Sequence, residues 1–191
     1  LGDVYKRQAI AKCPACILFV NDGSKDNSLA GIQDICSRHN DFFYISFLKN
    51  AGLSAAIKAG FDTAQSKYVG YIDADLQTAP DDFNLLLEYI NDFKLVMGIR
   101  ANRKDSGFKR LQSKIANSFR RMMTHDGATD TGCPLKILHT DYAKRIPFFT
   151  GMHRFLPALI LLQDGGCFKE IPVRPVSYTH LRAHETGAYL V

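Results

Sequence analysis

Short, nearly unbroken apolar runs alternate along the first half of the chain with longer stretches whose apolar residues recur every three or four positions. The run CILFV at 16–20 is followed by the turn Asn21-Asp22-Gly23-Ser24, after which Leu29, Ile32 and Cys36 fall at helical spacing. The run at 42–48 leads into Asn50-Ala51-Gly52 and a helix with Leu53, Ile57, Gly60 and Ala64 on one face. A third run occupies 68–72. Beyond it Thr78 and Asp81 stand at capping-box spacing with Pro80 in the first turn, ahead of Phe83, Leu86, Leu87 and Ile90 at i, i+3, i+4 and i+7. A fourth run, 95–99, closes the series.

Four short apolar strands separated by single helices predict right-handed crossovers and a mostly parallel sheet covered on both faces. The fold class is therefore α/β, doubly wound. Such domains bind ligands beyond the carboxyl ends of their strands. The residues at those ends here are Asn21-Asp22, Lys49-Asn50, Asp73-Ala74-Asp75 and Arg100.

With 191 residues, 46% of them apolar and 23% charged, the chain is long and apolar enough for one globular domain, which excludes a disordered segment. The longest apolar stretches, such as ALILL at 158–162, fall far short of the roughly 18–20 residues of a membrane-spanning helix. Five cysteines without a secretory leader predict a reducing, cytoplasmic setting. Cys13 and Cys16 have C-x-x-C spacing, but no second pair completes a zinc site.

The ends LGDVYKRQ (1–8) and PVSYTHLRAHET (175–186) resemble translated read-through of sequencing adapters of the kind carried by metagenomic assemblies. The expected domain is accordingly 9–174, with 1–8 and 175–191 as non-native tails. The metal-like spacing of His180 and His184 beside Glu185 is absorbed by that reading.

The formal net charge is +5, and the excess is local: residues 94–121 hold nine Lys or Arg against one acid, Asp105. That stretch favours an anionic partner. Within it Phe108, Leu111, Ile115, Phe119 and Met122 form an apolar helical stripe opposite Lys109, Arg110, Lys114, Arg120 and Arg121. Such a helix either lies on an anionic membrane surface or packs on the core with a solvated basic face. Few aromatics interleave the charges, which argues against nucleic acid.

Two like charges ending an apolar strand need a reason. In extended chain, residues i and i+2 point the same way, so Asp73 and Asp75 aim at one point, and Gln77 continues the alternation. Hard oxygen ligands of this kind suit Mg2+ or Mn2+. The competing reading is a strand end that opens a turn. An EF-hand is excluded because Thr78 stands where glycine is required and Asn84 where the bidentate glutamate belongs. Asn21-Asp22-Gly23-Ser24 and Asn50-Ala51-Gly52 each fit either a ligand-binding loop or an ordinary tight helix entry. Neither the dinucleotide nor the P-loop glycine motif occurs.

Taken together, FVNDGSKDNS (19–28), NAGLSAAIKAG (50–60), YIDADLQTAPDD (71–82) and VMGIR (96–100) resemble the family 2 glycosyltransferases of the GT-A fold, in that family's order and spacing. DTGCPLKIL (130–138) and GGCFKEIPV (165–173) look most like its polyprenyl-phosphate branch, the dolichyl-phosphate mannose synthases and their undecaprenyl-phosphate relatives. The resemblance implies inverting transfer of a sugar from a UDP- or GDP-linked donor to a polyprenyl phosphate, undecaprenyl or dolichyl, at the inner face of the cell membrane. It implies that Asn21, Asp22, Ser24, Asn50, Gly52 and Asp73 bind the nucleotide sugar and that Asp73, Asp75 and Gln77 hold the metal. Arg100 would face phosphate, and Asp75, Arg100 and Asp130 form the expected catalytic set, Asp130 being a general base, the partner of an arginine or the cap of a loop. Arg103, Lys136 and Arg154 are the candidates for the acceptor phosphate. Two other readings are a nucleotide-sugar binding module without transfer activity and a metal-dependent nucleotidyltransferase.

Two departures carry expectations of their own. Asn21 stands where many relatives have an aspartate. The family also opens with a strand, central in a 3-2-1-4 sheet, that has no counterpart before Cys16, so unpaired backbone in mid-sheet, poor stability and loss of activity are expected.

Overall fold

The computed structural model of the chain describes residues 14–73, 78–100, 124, 126–173 and 188–190. The four apolar runs are strands: β1 Ile17–Asn21, β2 Phe42–Ser46, β3 Tyr68–Asp73 and β4 Leu95–Arg100. Three of them run one polar residue further than the apolar pattern, so Asn21, Asp73 and Arg100 are the last rungs of strands. Helices α1 Ser28–Arg38 and α2 Leu53–Thr63 follow β1 and β2; after β3 come a 3-10 turn, Pro80–Asp82, and the short α3 Phe83–Leu87. The expected capping box is absent: the cap of the Pro80 turn is Ala79, without a side-chain hydrogen bond, and Thr78 is buried instead.

The second half adds β5 Lys136–His139, α4 Thr140–Lys144, a 3-10 turn at Met152–Arg154, α5 Leu156–Leu161, β6 Phe168–Val173 and β7 Ala188–Leu190. The sheet order is β2-β1-β7-β3-β5-β4-β6. Strand β1 runs parallel to β2 and β4 to β6, while β5 is antiparallel to β3 and β4, and β7 to β1 and β3. Strands β1, β2, β3, β4 and β6 therefore share one direction. The mixed sheet keeps the expected parallel frame, into which two reversed strands are inserted.

Alternation along the strands covers both faces. On one face Val69, Tyr71, Leu95, Met97 and Leu138 pack with Ile57 and Phe61 of α2, and with Ala143, Leu156 and Ile160 of α4 and α5. On the other, Ile72, Val96 and Ile137 meet Leu86 of α3 and Ile90 just beyond it. A smaller cluster joins Phe19 and Phe42 to Ile32 and Ile35 of α1.

The expectation of bare backbone in mid-sheet is corrected. Between β1 and β3, Leu190 lies opposite Phe19 and Ile72, Tyr189 opposite Val20 and Asp73, and Ala188 opposite Asn21. Buried N–H and C=O groups have to be paired, and a three-residue extended segment suffices at the carboxyl end of this gap. No helix among the described residues is long and apolar enough to cross a membrane.

Candidate functional site

The common direction of five strands brings the predicted polar residues to one edge of the sheet. At the end of β1, Asn21 is buried, with 1% of its surface exposed. It donates from Nδ2 to Ser46 Oγ at 3.0 Å and accepts the Ser24 backbone N–H at Oδ1, 3.2 Å. The carboxylate of Asp22, 2% exposed, reaches across to the start of α2, accepting Ala51 N–H at 2.6 Å and Gly52 N–H at 2.8 Å. Asn50 Nδ2 returns a bond to the Asp22 carbonyl at 3.2 Å. A carboxylate on free N–H groups ahead of a helix is favoured by charge-assisted hydrogen bonding and by the helix dipole.

The two loops touch so closely that Gly23, at φ 67°, has no room for a side chain: a Cβ there would lie 2.5 Å from the Asn50 nitrogen. The candidate nucleotide residues Asn21, Asp22, Ser24, Asn50 and Gly52 thus form one cluster. The hydroxyl of Ser24 is shielded from solvent and has no hydrogen-bond partner among the described residues.

Asp73 ends β3 on the same edge. With β7 between them, Asn21 and Asp73 stand two inter-strand spacings apart, about 10 Å. Asp75 and Gln77 lie outside the described residues, as do Arg103 and the basic stripe 108–122. Among the described residues no three His, Cys, Asp or Glu side chains gather into a metal site.

On the far side of β5 from β3, the end of β4 carries Arg100, gripped by Asp130. Arg100 Nε donates to Oδ2 at 2.9 Å and Nη2 to Oδ1 at 2.8 Å, with the Arg100 backbone N–H on Oδ2 at 3.3 Å. The Gly132 N–H adds a bond to Oδ1 at 3.2 Å. Partial burial raises the Asp130 carboxyl, but the hydrogen bonds and charge of Arg100, with the charge of Lys136, outweigh it and hold the group below the usual carboxylate range. An acid engaged in this way orients an arginine and is a poor general base.

The loop that presents Asp130 is held from β6. Glu170 accepts Thr129 N–H at 2.8 Å, the Thr129 hydroxyl at 2.7 Å and Asp130 N–H at 3.2 Å. Lys136, at the start of β5, is 1% exposed. Its ammonium donates to the carbonyls of Thr131 and Cys133 and lies 5.1 Å from the centre of the Tyr71 ring. Burial pushes its pKa down to about 8, against the opposing pull of Asp130 and Asp73. Burial, reinforced by the Asp73 charge, keeps the Tyr71 phenol neutral. A lysine so enclosed braces the 131–133 loop.

On the α2 side, Ser54 links the helix start to the Met152–Arg154 turn. Its hydroxyl accepts Gly151 N–H at 2.9 Å and lies 3.0 Å from His153 Nδ1. Burial, then the charges of Arg154 and Lys136, lower the His153 pKa to about 4, so the imidazole is neutral where it shares the hydrogen bond with Ser54. Arg154 is exposed on the same turn. Glu170, Ser54 and His153 are the residues that sequence reasoning missed. Each lies in or beside a quoted motif or a candidate residue, but no local spacing marks its partner.

Residues 7–148 match the family described as Glycosyl transferase family 2. The chain is 31% identical over 178 residues to the dodecaprenyl-phosphate galacturonate synthase of Rhizobium johnstonii, covering 91% of this chain and 52% of that protein. It is 38% identical over 122 residues to the undecaprenyl-phosphate 4-deoxy-4-formamido-L-arabinose transferase of Pectobacterium atrosepticum, covering 63% of this chain and 37% of that protein. The chain thus spans about half or less of these relatives. Glucosyl-3-phosphoglycerate synthase of Mycobacterium tuberculosis, solved with Mn2+, uridine-diphosphate-glucose and phosphoglyceric acid, superposes with a TM-score of 0.64 at 14% identity, over 86% of this chain and 60% of that one. That likeness shows a shared GT-A fold.

Proposed function

The chain belongs to glycosyl transferase family 2, and from that premise we propose that it moves a sugar from a nucleoside-diphosphate sugar to a polyprenyl phosphate. The observation that carries the reading is the clamp at the sheet edge: Asp22 ties the Asn21–Ser24 loop to Ala51 and Gly52, one β7 width from Asp73. It leaves a polar rim in which the Ser24 hydroxyl, shielded from solvent, has no hydrogen-bond partner among the described residues. The named relatives act on dodecaprenyl and undecaprenyl phosphate, which supports the lipid acceptor.

The acceptor needs little activation. A phosphate monoester is ionised near neutral pH, its second pKa being about 6. One of its oxygens attacks the anomeric carbon, the bond from that carbon to the donor diphosphate breaks, and the nucleoside diphosphate leaves with the electron pair. No general base is required, in keeping with an Asp130 committed to Arg100. Arg100, aimed by Asp130, stands ready for a phosphate; Arg154 offers an exposed second guanidinium. Two carboxylates and a carboxamide oxygen, Asp73, Asp75 and Gln77, are a hard donor set that fits Mg2+ or Mn2+. When bound, the metal would offset charge collecting on the leaving diphosphate.

Calorimetric titration of UDP, GDP and their sugars, with manganese and then with EDTA, tests this. Metal-dependent binding that Asp75→Ala abolishes, with release of nucleoside diphosphate on adding a polyprenyl phosphate, is the expected result. A folded chain that binds no nucleotide would refute it.

A further inference from the structure

The chain returns to the candidate edge through a segment that leaves two adjacent aromatic side chains exposed. Strand β5 runs against its neighbours, so α4 starts at the far edge, where Thr140 N–H meets the Lys67 carbonyl. It comes back along α2, with Lys58 Nζ on the Lys144 carbonyl, and reaches the functional edge at the Gly151–Ser54 bond. Just before that bond stand Phe148, 57% exposed, and Phe149, 38% exposed. Phe149 is braced 5.9 Å from the Phe155 ring. Leaving two adjacent phenylalanines in water forgoes the stabilisation that burial would bring.

The charge around them is mostly positive. From 142 to 163 the sequence holds Lys144, Arg145 and Arg154 and no acid; Asp141 lies 3.7 Å from Arg145, which leaves Lys144 and Arg154 as the excess. Paired apolar rings flanked by exposed cations are the composition of an interfacial anchor, the rings entering the headgroup boundary and the cations meeting lipid phosphates. The exposed Leu161 and Leu162 belong to the other end of α5, away from this edge.

We propose that Phe148 and Phe149 form a membrane-docking wedge that seats the Gly151–Arg154 turn, and with it the open edge of the site, on an anionic lipid surface. The inference deepens the lipid-acceptor reading and rests on it. Docking of this kind holds Arg154 at the depth of a lipid phosphate, so that the acceptor headgroup reaches the edge without leaving the bilayer surface.

The test is co-sedimentation of the full chain with vesicles of phosphatidylcholine and phosphatidylglycerol that contain no polyprenyl phosphate. Phe148→Asp should partition roughly tenfold or more weakly than the parent, since the contribution of one buried aromatic is lost and a charge is added. Phe148→Leu should bind like the parent, and phosphatidylcholine alone should bind less than the mixture. The thermal melt of Phe148→Asp and its transfer to a short, water-soluble polyprenyl phosphate should both be unchanged. Equal vesicle binding by parent and Phe148→Asp would overturn the proposal, as would a concentration-dependent dimer that Phe148→Asp dissolves, which would make the patch a contact between copies. Nucleotide titration without vesicles reads the transferase function separately, so either conclusion can fail alone.

Discussion

Arg100 and Asp130 meet fork to fork, Nε on Oδ2 at 2.9 Å and Nη2 on Oδ1 at 2.8 Å, and this pair decides what each can do. The guanidinium loses its freedom to rotate, and the carboxylate gives up its basicity. Asp130→Asn replaces one acceptor by a donor facing Arg100. Transfer should fall at least about tenfold, with a smaller change in donor affinity, because an unaimed arginine costs transition-state stabilisation more than binding. Comparing kcat with the donor KM checks this. If Asp130 acted instead as an essential base, the loss would shrink as pH falls, because the parent carboxylate would then be protonated as well.

The Asp22 clamp should be a stability element before it is a ligand contact. Asp22→Ala removes the acceptor of two N–H groups at the start of α2, and should cost about 2–4 kcal/mol in a denaturant melt. Asp22→Asn should recover part of that, since one oxygen remains. Gly23→Ala should be comparably damaging, because it strains a positive φ and drives Cβ into Asn50.

His153 sets an acid limit to stability. Its folded pKa is about 4 against an ordinary 6.5, so between those values the unfolded chain binds the extra proton. Stability is complete above pH 6.5 and is lost progressively as pH falls towards 4, by about 2 kcal/mol once solvent exposure is allowed for. A His153→Gln chain, melted across the same range, should show a flatter curve. Parallel curves for the two proteins would rule the histidine out as the cause.

Strand β7 should matter beyond its three residues. Removing residues 188–191 exposes the facing edges of β1 and β3 together, and should lower stability by roughly 3 kcal/mol at about 1 kcal/mol per lost hydrogen bond. Hydrogen exchange should then quicken at the amides of Val20 and Asp73, and aggregation should increase through the bared edges. An unchanged melt would mean that the gap closes by direct pairing of β1 with β3.

Much of the frame is legible along the chain. Each of β1 to β4 starts within one residue of an apolar run; for the inner strands β1, β3 and β4 the reason is cover on both faces, whereas the edge strand β2 leaves Phe43 and Tyr44 exposed. The start of α2 is visible in Asn50-Ala51-Gly52 because close loop contact admits only particular residues. The loops of the site follow from the strands, since parallel direction puts every strand end on one edge. The sequence alone thus determined the α/β frame and the edge to which the candidate residues Asn21, Asp22, Asn50, Asp73 and Arg100 are brought.

What it left open are features made by distance. Strand β5 is four residues long, and its first rung is the buried Lys136, which reads as a surface position until Tyr71 and the 131–133 carbonyls enclose it. Ser54 and His153 are 99 residues apart, and Glu170 and Thr129 are 41 apart. No local period encodes such a pair, because each partner is chosen by packing of the whole sheet. Whether Asp130 stands free or paired with Arg100, whether Lys136 is exposed or enclosed, and what pairs with β1 and β3 were decided by tertiary structure. Those outcomes depend on burial and on which groups are left to satisfy one another once the layers close.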